Sequence, residues 1–242
     1  MHRETYEQII QRRRSNRNFD PQVPVPDAVI ERSLRNSILS PNSSNMQLWE
    51  FHWIQSAALK AELTKYCLGQ GAARTAQQMV VFVTRQDLWK KRAQWNYQQI
   101  REALGDREPT KLEKRGLDYY GKLMPLIYRK DWLGLATLAR RTVSFFLGLR
   151  KPFYRASGTA DQRIMVHKSC ALAAQTFMLS IAAEGFDSCP MEGFDRLRVR
   201  KALGLPRGAE INMIIGVGMG TPAGTWGERK RVPYEEVVIT HR

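Results

Sequence analysis

Met79–Val80–Val81–Phe82–Val83–Thr84 is an unbroken apolar run, rich in β-branched valine and closed by a threonine. A run this short with no charge inside it reads as a strand buried on both faces, because alternation is needed only where one face meets water. Glu210 to Val217 repeats the pattern as a second buried strand, ended by Gly216, Gly218 and Gly220. Glu50 to Gln55 alternates as a shorter one. Helical spacing fills the intervals. Its strongest instance is Asp161 to Glu184, where Ile164, Leu172, Ala173, Phe177, Ile181 and Ala182 mark a wide apolar face and Gly185 stops the helix. Thr5 with Gln8 forms a capping-box start for a first helix, carried by Tyr6, Ile9 and Ile10 up to Arg12–Arg13–Arg14. A second follows Pro26, with Val29, Ile30, Leu34 and Ile38 on its apolar face; a third spans Ala57 to Cys67. Ser40–Asn45 and Cys189–Gly193 read as loops, the latter followed by a basic helix through Leu203. The tail carries an extended segment, Tyr234 to Thr240. Strands separated by helices, with helix in excess, predict one α+β domain over residues 1–242. Residues 86 to about 155 show helical periodicity in at least three pieces, and 86–160 is read as a helical insertion or lid.

The chain has 242 residues, 43% hydrophobic and 25% charged, which is ordinary globular composition. Its charge is not ordinary: 38 Lys and Arg against 23 Asp and Glu give +15. Such a balance attracts phosphorylated cofactors, nucleic acid or acidic membrane surface without choosing among them. Cys67, Cys170 and Cys189 form no metal-ligand or redox spacing, so free thiols in a reducing compartment are expected. There is no leader pattern, and the apolar stretch Trp132 to Leu149 is broken by Arg140 and Arg141, so a cytoplasmic protein is predicted.

Four segments could carry chemistry. Arg13–Arg14–Ser15–Asn16–Arg17 offers fixed fork donors and a hydroxyl, suited to phosphate or an electron-rich ring. It is equally a solvated basic helix end that complements the macrodipole. The loop Pro41–Asn45, with Gln47 and Trp49, lines a ligand edge or satisfies its own backbone. Pro190–Met191–Glu192–Gly193 permits close approach of backbone N–H groups to a flat ring. Arg229–Lys230–Arg231, alone, is a surface charge run.

Their order is more specific than any one of them. Arg13-Arg14-Ser15-x-Arg17-x-Phe19 is followed by Pro41-x-Ser43-Ser44-Asn45-x-Gln47-x-Trp49. A long apolar helix ending at glycine comes next, then Pro190-x-Glu192-Gly193, a Gly-x-Gly-ended strand, and Arg229-x-Arg231 with proline and Glu235–Glu236. This layout resembles the FMN-dependent nitroreductase family over residues 1–85 and 161–242. The resemblance implies a central, mostly antiparallel sheet flanked by helices, in an intertwined homodimer with FMN at the subunit interface. It implies that Arg13, Arg14, Ser15 and Arg17 hold the phosphate, ribityl chain and pyrimidine edge, with Arg229 and Arg231 as a second phosphate clamp. Pro41, Asn42, Ser43 and Asn45 match the loop that reaches the flavin from the partner subunit. Pro190, Met191, Glu192 and Gly193 match the turn under the ring, the backbone N–H of Glu192 facing flavin N5. Where many relatives carry Asn and Lys, this chain has Gly69–Gln70–Gly71–Ala72; Gln70 is the candidate for the amide contact. Leu48 replaces a proline usual before the Trp.

The implied activity is ping-pong hydride transfer from NADH or NADPH through the flavin to a small electron-poor acceptor, a nitroaromatic or a quinone, with no catalytic acid or base side chain and no metal. Arg17 is the candidate for stabilising the reduced flavin; His52, His167 and His241 read as packing or surface residues. Trp89, Trp95, Tyr97, Tyr119, Tyr120 and Trp132 are lid candidates. Residues 126–155 interleave Arg and Lys with Trp, Leu and Phe, a pattern for weak contact with a membrane surface or for covering a dimer. Two rivals stand: another FMN reaction, reductive dehalogenation or a biosynthetic oxidation, and a non-enzymatic basic protein binding nucleic acid or anionic lipid. No helix-turn-helix, zinc or RNA-binding signature supports the last, so no nucleic acid is expected.

Overall fold

The computed structural model describes residues 2–128, 135–155 and 158–242. The chain runs through α1 (His2–Arg12), α2 (Asp27–Ile38), β1 (Trp49–Trp53), α3 (Ala57–Tyr66), α4 (Gly71–Thr75) and β2 (Gln78–Arg85). Then come α5 (Trp89–Leu104), α6 (Lys111–Asp118), a π-turn at Tyr119–Leu123, α7 (Met124–Tyr128) and α8 (Leu135–Arg150). The last third holds α9 (Thr159–Ala183), β3 (Asp187–Met191), α10 (Arg196–Ala202), β4 (Ala209–Gly218) and a single turn, α11 (Tyr234–Val237).

Among the described residues the strands form one antiparallel sheet in the order β1-β2-β4-β3, with Val81 opposite Ile214 at its centre. The apolar run at 79–84 is therefore an interior strand. Its odd residues, Met79, Val81 and Val83, face Leu63 of α3, Ala72 and Ala73 of α4 and Val199 of α10. Its even residues, Val80 and Phe82, face Ile30 of α2 and Ala173, Phe177 and Ile181 of α9. Helices thus cover both faces, which is why the run does not alternate. Helix α9 has the length and hydropathy of a membrane span, but Ala173, Phe177 and Ile181 are fully buried against the sheet. The register slips between Phe82–Met213 and Val83–Ile211, leaving Asn212 as the extra residue of a bulge.

Helices α5 to α8 fill much of residues 86–150, and a third apolar cluster there joins Ala93, Met124 and Tyr128 to Met46, Leu48 and Val166. Trp89 stacks on Tyr128 at 6.2 Å and Tyr119 meets Tyr120 edge-on at 5.3 Å, so these lid candidates pack. Trp132 lies outside the described residues.

Several local readings are corrected. Helix α1 begins at His2, so Thr5 lies inside it and not at its start. Ile38 ends α2 with 52% of its surface exposed, and Ile164 and Leu172 are also about half exposed, on the side of α9 away from the sheet. Cys189, Pro190 and Met191 belong to β3 and not to a loop, Pro190 standing opposite Ile215. An edge strand accepts proline because one row of its N–H groups needs no partner. Only Glu192 and Gly193 leave the strand. Tyr234–Val237 is a helical turn after Pro233, where an extended segment is predicted.

Candidate functional site

The segment after α1 is laid along the outer edge of β3. Arg13 N–H still donates to Ile9 O at 2.9 Å, closing the helix. Ser15 then bridges Ser188 in parallel, and Asn16 N–H donates to Ser188 O at 3.2 Å. Arg12 anchors the helix end by donating from Nε to Ala182 O at 3.0 Å and from Nη2 to Gly185 O, two carbonyls at the turn that ends α9. Asn16 is buried. Its Nδ2 donates to Thr221 O at 2.9 Å, while its Oδ1 accepts Asn18 N–H at 3.0 Å. Gly224 closes over it so tightly that a Cβ there would fall 1.7 Å from Asn16 Oδ1. The Arg-rich segment is thereby clamped between β3 and the chain that follows β4.

Both ends of the sequence meet at this edge. Arg229 donates from Nη1 to Ile10 O at 3.3 Å and from Nη2 to Gln11 O at 2.7 Å and Arg13 O at 2.9 Å. It is a side-chain cap on the last turn of α1, using three of the five guanidinium donors. Arg14 Nη2 donates to Gly227 O at 2.8 Å, and Arg17 lies over the Trp226 ring with Cζ 4.0 Å from its centre. The Arg13 guanidinium is pushed below its ordinary pKa by burial, then by Arg229, Arg231 and Arg14. Among the described residues, none of Arg13, Arg14, Arg17, Arg229 and Arg231 has a carboxylate within 4.0 Å. Nearby, Ser188 Oγ is buried with no hydrogen-bond partner. Burial raises the Cys189 thiol pKa, and Arg17 and Arg13 partly offset that rise. The predicted arginines are thus brought together, close to the Cys189 side of β3.

Gln70 joins this group. Its Nε2 donates to Gly193 O and, at 3.0 Å, to Cys67 O, tying the 190–193 turn to the start of α4. Gly71 must be small: a Cβ there would lie 2.7 Å from Arg17 O.

The Pro41–Asn45 loop is elsewhere. Ser43 N–H donates to Ser169 Oγ at 3.2 Å, Ser44 Oγ meets Tyr119 OH at 2.6 Å, and Asn45 Nδ2 donates to Asn96 Oδ1 at 3.1 Å. Asn42 Oδ1 accepts Gln47 N–H at 2.8 Å. Ser169 and Ala182, where Arg12 anchors, lie about 20 Å apart along α9 at 1.5 Å per residue. Within one chain, then, the loop and the arginines sit toward opposite ends of one helix. Ser44, Asn45 and Gln47 have φ between 47° and 57°, with right-handed Met46 between them, a strained turn that these contacts hold in place.

The histidines keep away from the arginine cluster. His52 is half-buried 3.5 Å from Glu50, and His241 is exposed. His167 is packed between Asn212 and Glu210, its pKa lowered by burial. Two contributors escaped the sequence reading: Trp226, which no local pattern marks, and Asn16, whose burial was masked by four arginines around it.

The sequence profile of the nitroreductase family matches residues 10–219. Protein DrgA of Synechocystis sp. is 26% identical over 231 residues, 95% of this chain and 90% of its own. A protein named NADH dehydrogenase from Thermus thermophilus is 28% identical over 228 residues, 94% and 92% of the two chains. Among solved structures, a nitroreductase family protein from Streptococcus pneumoniae aligns with a TM-score of 0.69 at 19% identity, covering 98% of this chain and 100% of that one. An FMN complex of a nitroreductase-type protein from Exiguobacterium sibiricum aligns with a TM-score of 0.66 at 20% identity, covering 98% and 97%. Because the profile match runs from the last turn of α1 to the residue after β4, with the whole sheet inside it, the chain belongs to the nitroreductase family.

Proposed function

We propose that this chain is an FMN-dependent oxidoreductase that takes hydride from NADH or NADPH and, in a second half-reaction, reduces an electron-poor nitroaromatic or quinone. The observation that carries this reading is the gathering of Arg13, Arg14, Arg17, Arg229 and Arg231 with no acid among them. Guanidiniums held this close repel one another, and a bound dianion relieves that repulsion while accepting their fork donors.

The residues present fit such a group. Arg13 is partly desolvated and crowded by Arg229, Arg231 and Arg14, a cationic setting that a phosphate would neutralise. Arg13, Arg14, Ser15, Arg229 and Arg231 would hold the phosphate and ribityl chain. Arg17, its charge resting on Trp226, is positioned to favour negative charge on a reduced ring. Gln70 braces the turn of Pro190, Met191, Glu192 and Gly193, fixing the backbone on which a planar ring would lie. When bound, FMN supplies the hydride-accepting chemistry. Pro41, Asn42, Ser43 and Asn45 would complete the site from a second subunit, since they sit about 20 Å along α9 from their own chain's arginines.

Purified protein should be yellow and release FMN on denaturation. In Ser15→Ala/Arg231→Ala the flavin should be lost more readily while the circular dichroism spectrum stays unchanged. Colourless protein that takes up no added FMN would overturn the reading.

A further inference from the structure

Helices α7 and α8 and the first turns of α9 line a half-open cavity of about 730 Å³. Its wall is mostly hydrocarbon, from Leu123, Met124, Ile127, Val143, Phe153 and Met165, and it includes Ser43 and Ser44. Several polar groups of that wall are already engaged. Tyr119 OH meets Ser44 Oγ at 2.6 Å, Ser43 Oγ meets Met165 Sδ at 2.8 Å, and Gln162 holds Ile127 O and Gln86. Arg140 donates to Leu126 O at 3.1 Å and Thr137 Oγ1 at 3.0 Å. A ligand here would find little to hydrogen-bond and much apolar surface to cover. The size is that of a site for a drug-sized molecule. On its outer side α8 continues the apolar surface with Leu138, Phe145 and Phe146, each more than half exposed.

We propose that this cavity holds the hydrocarbon chain of the electron acceptor, with its reducible ring at the Ser43–Ser44 turn; the acceptor is then a quinone carrying an alkyl or isoprenoid tail. The inference rests on the flavin reading above and specifies its substrate class. The turn placed against the ring also lines the cavity, so head and tail are held by one continuous wall. Reduction of the quinone to its hydroquinone takes two electrons and two protons. The reduced nicotinamide supplies the electrons and one proton as hydride, and water supplies the other proton.

The test is a chain-length series of 2-alkyl-1,4-benzoquinones with the flavin-loaded protein, from methyl to decyl, reading KM and kcat separately. KM should fall roughly three- to four-fold per methylene until the cavity is filled, the ratio for burying one methylene, while kcat changes less than two-fold. Ala139→Trp, which fills the cavity from α8, should flatten the series and leave turnover of the methyl quinone within two-fold. Val143→Glu, a charge in the same wall, should do likewise and guards against a misfolded first variant. Calorimetric titration with 1-octanol and 1-butanol reads the cavity without turnover: octanol should bind and butanol should not, and Ala139→Trp should abolish the difference. A flat KM series, or equal binding of the two alcohols, would overturn the tail pocket. Failure to reduce the methyl quinone at all would strike the flavin reading, and the alcohol titration would still decide the cavity.

Discussion

Arg229 reaches across 216 positions of sequence to donate its Nη2 to the carbonyl of Arg13 at 2.9 Å. One guanidinium thereby serves two purposes: it caps the last turn of α1, and it places a cation in the anion-binding group. The two can be separated. Arg229→Lys keeps the charge but has no planar fork to span Ile10, Gln11 and Arg13. Both it and Arg229→Met should lose about 1–2 kcal/mol of stability, but Arg229→Lys should retain FMN far better than the methionine variant. Denaturant unfolding and flavin release, measured on both, check the pair.

Asn16 and Gly224 should prove strongly coupled. Asn16→Ala leaves Thr221 O and Asn18 N–H without their buried partner and should cost about 1–3 kcal/mol. Gly224→Ala drives a Cβ into Asn16 Oδ1 and should destabilise at least as much. In the double variant the collision is gone, so the combined loss should be smaller than the sum by roughly 1 kcal/mol or more. Additive losses would show that the two residues do not share a clamp.

Gln70→Leu should leave the fold intact and loosen the 190–193 turn, because Gln70 Nε2 is what ties Gly193 O to the start of α4. One such bond is worth about 0.5–1.5 kcal/mol, so FMN should dissociate about two- to ten-fold faster in a stopped-flow displacement experiment. An unchanged off-rate would remove Gln70 from the site.

Acid should act first through His167. Burial lowers its pKa below the ordinary 6.5, with Glu210 opposing and Arg163 reinforcing the shift. The folded chain then binds that proton less readily than the unfolded one, so stability is complete above about pH 6.5 and falls as pH drops through the folded value. Glu210, lowered mainly by its hydrogen bond from Arg163, adds a second loss only below its ordinary 4.5. His167→Gln should therefore flatten stability just below about pH 6.5 and leave the steeper loss at lower pH. Thermal midpoints across that range check it.

The architecture was legible where local chemistry left one answer. Met79–Thr84 is apolar on both faces because helices cover both, and Gly185 ends α9 at a φ of 85° that other side chains resist. It was illegible where tertiary context overrode a local signal. Pro190 reads as a loop breaker, yet an edge strand tolerates it. Ile164 and Leu172 read as core, yet α9 is apolar nearly all round and only the sheet decides which side is covered. The site divides likewise. Arg13, Arg14, Arg17, Arg229 and Arg231 were visible as clustered charge, and Gln70 stood out as a departure from the family pattern. Trp226 could not be found, since its partner Arg17 lies at the far end of the sequence and nothing between them records the contact.

The cap that Arg229 places on α1 also sets an order of assembly. During synthesis α1 emerges long before residue 229, so its last turn lacks this guanidinium cap until Arg229 follows it. At about 5–20 residues per second that interval is on the order of 10–40 s. For that time the arginine-rich segment is an exposed polycation tethered to the ribosome, itself largely RNA. The cofactor pocket is therefore among the last parts of the nascent protein to close, and a fragment ending before residue 229 should emerge with its sheet and without its grip on an anion.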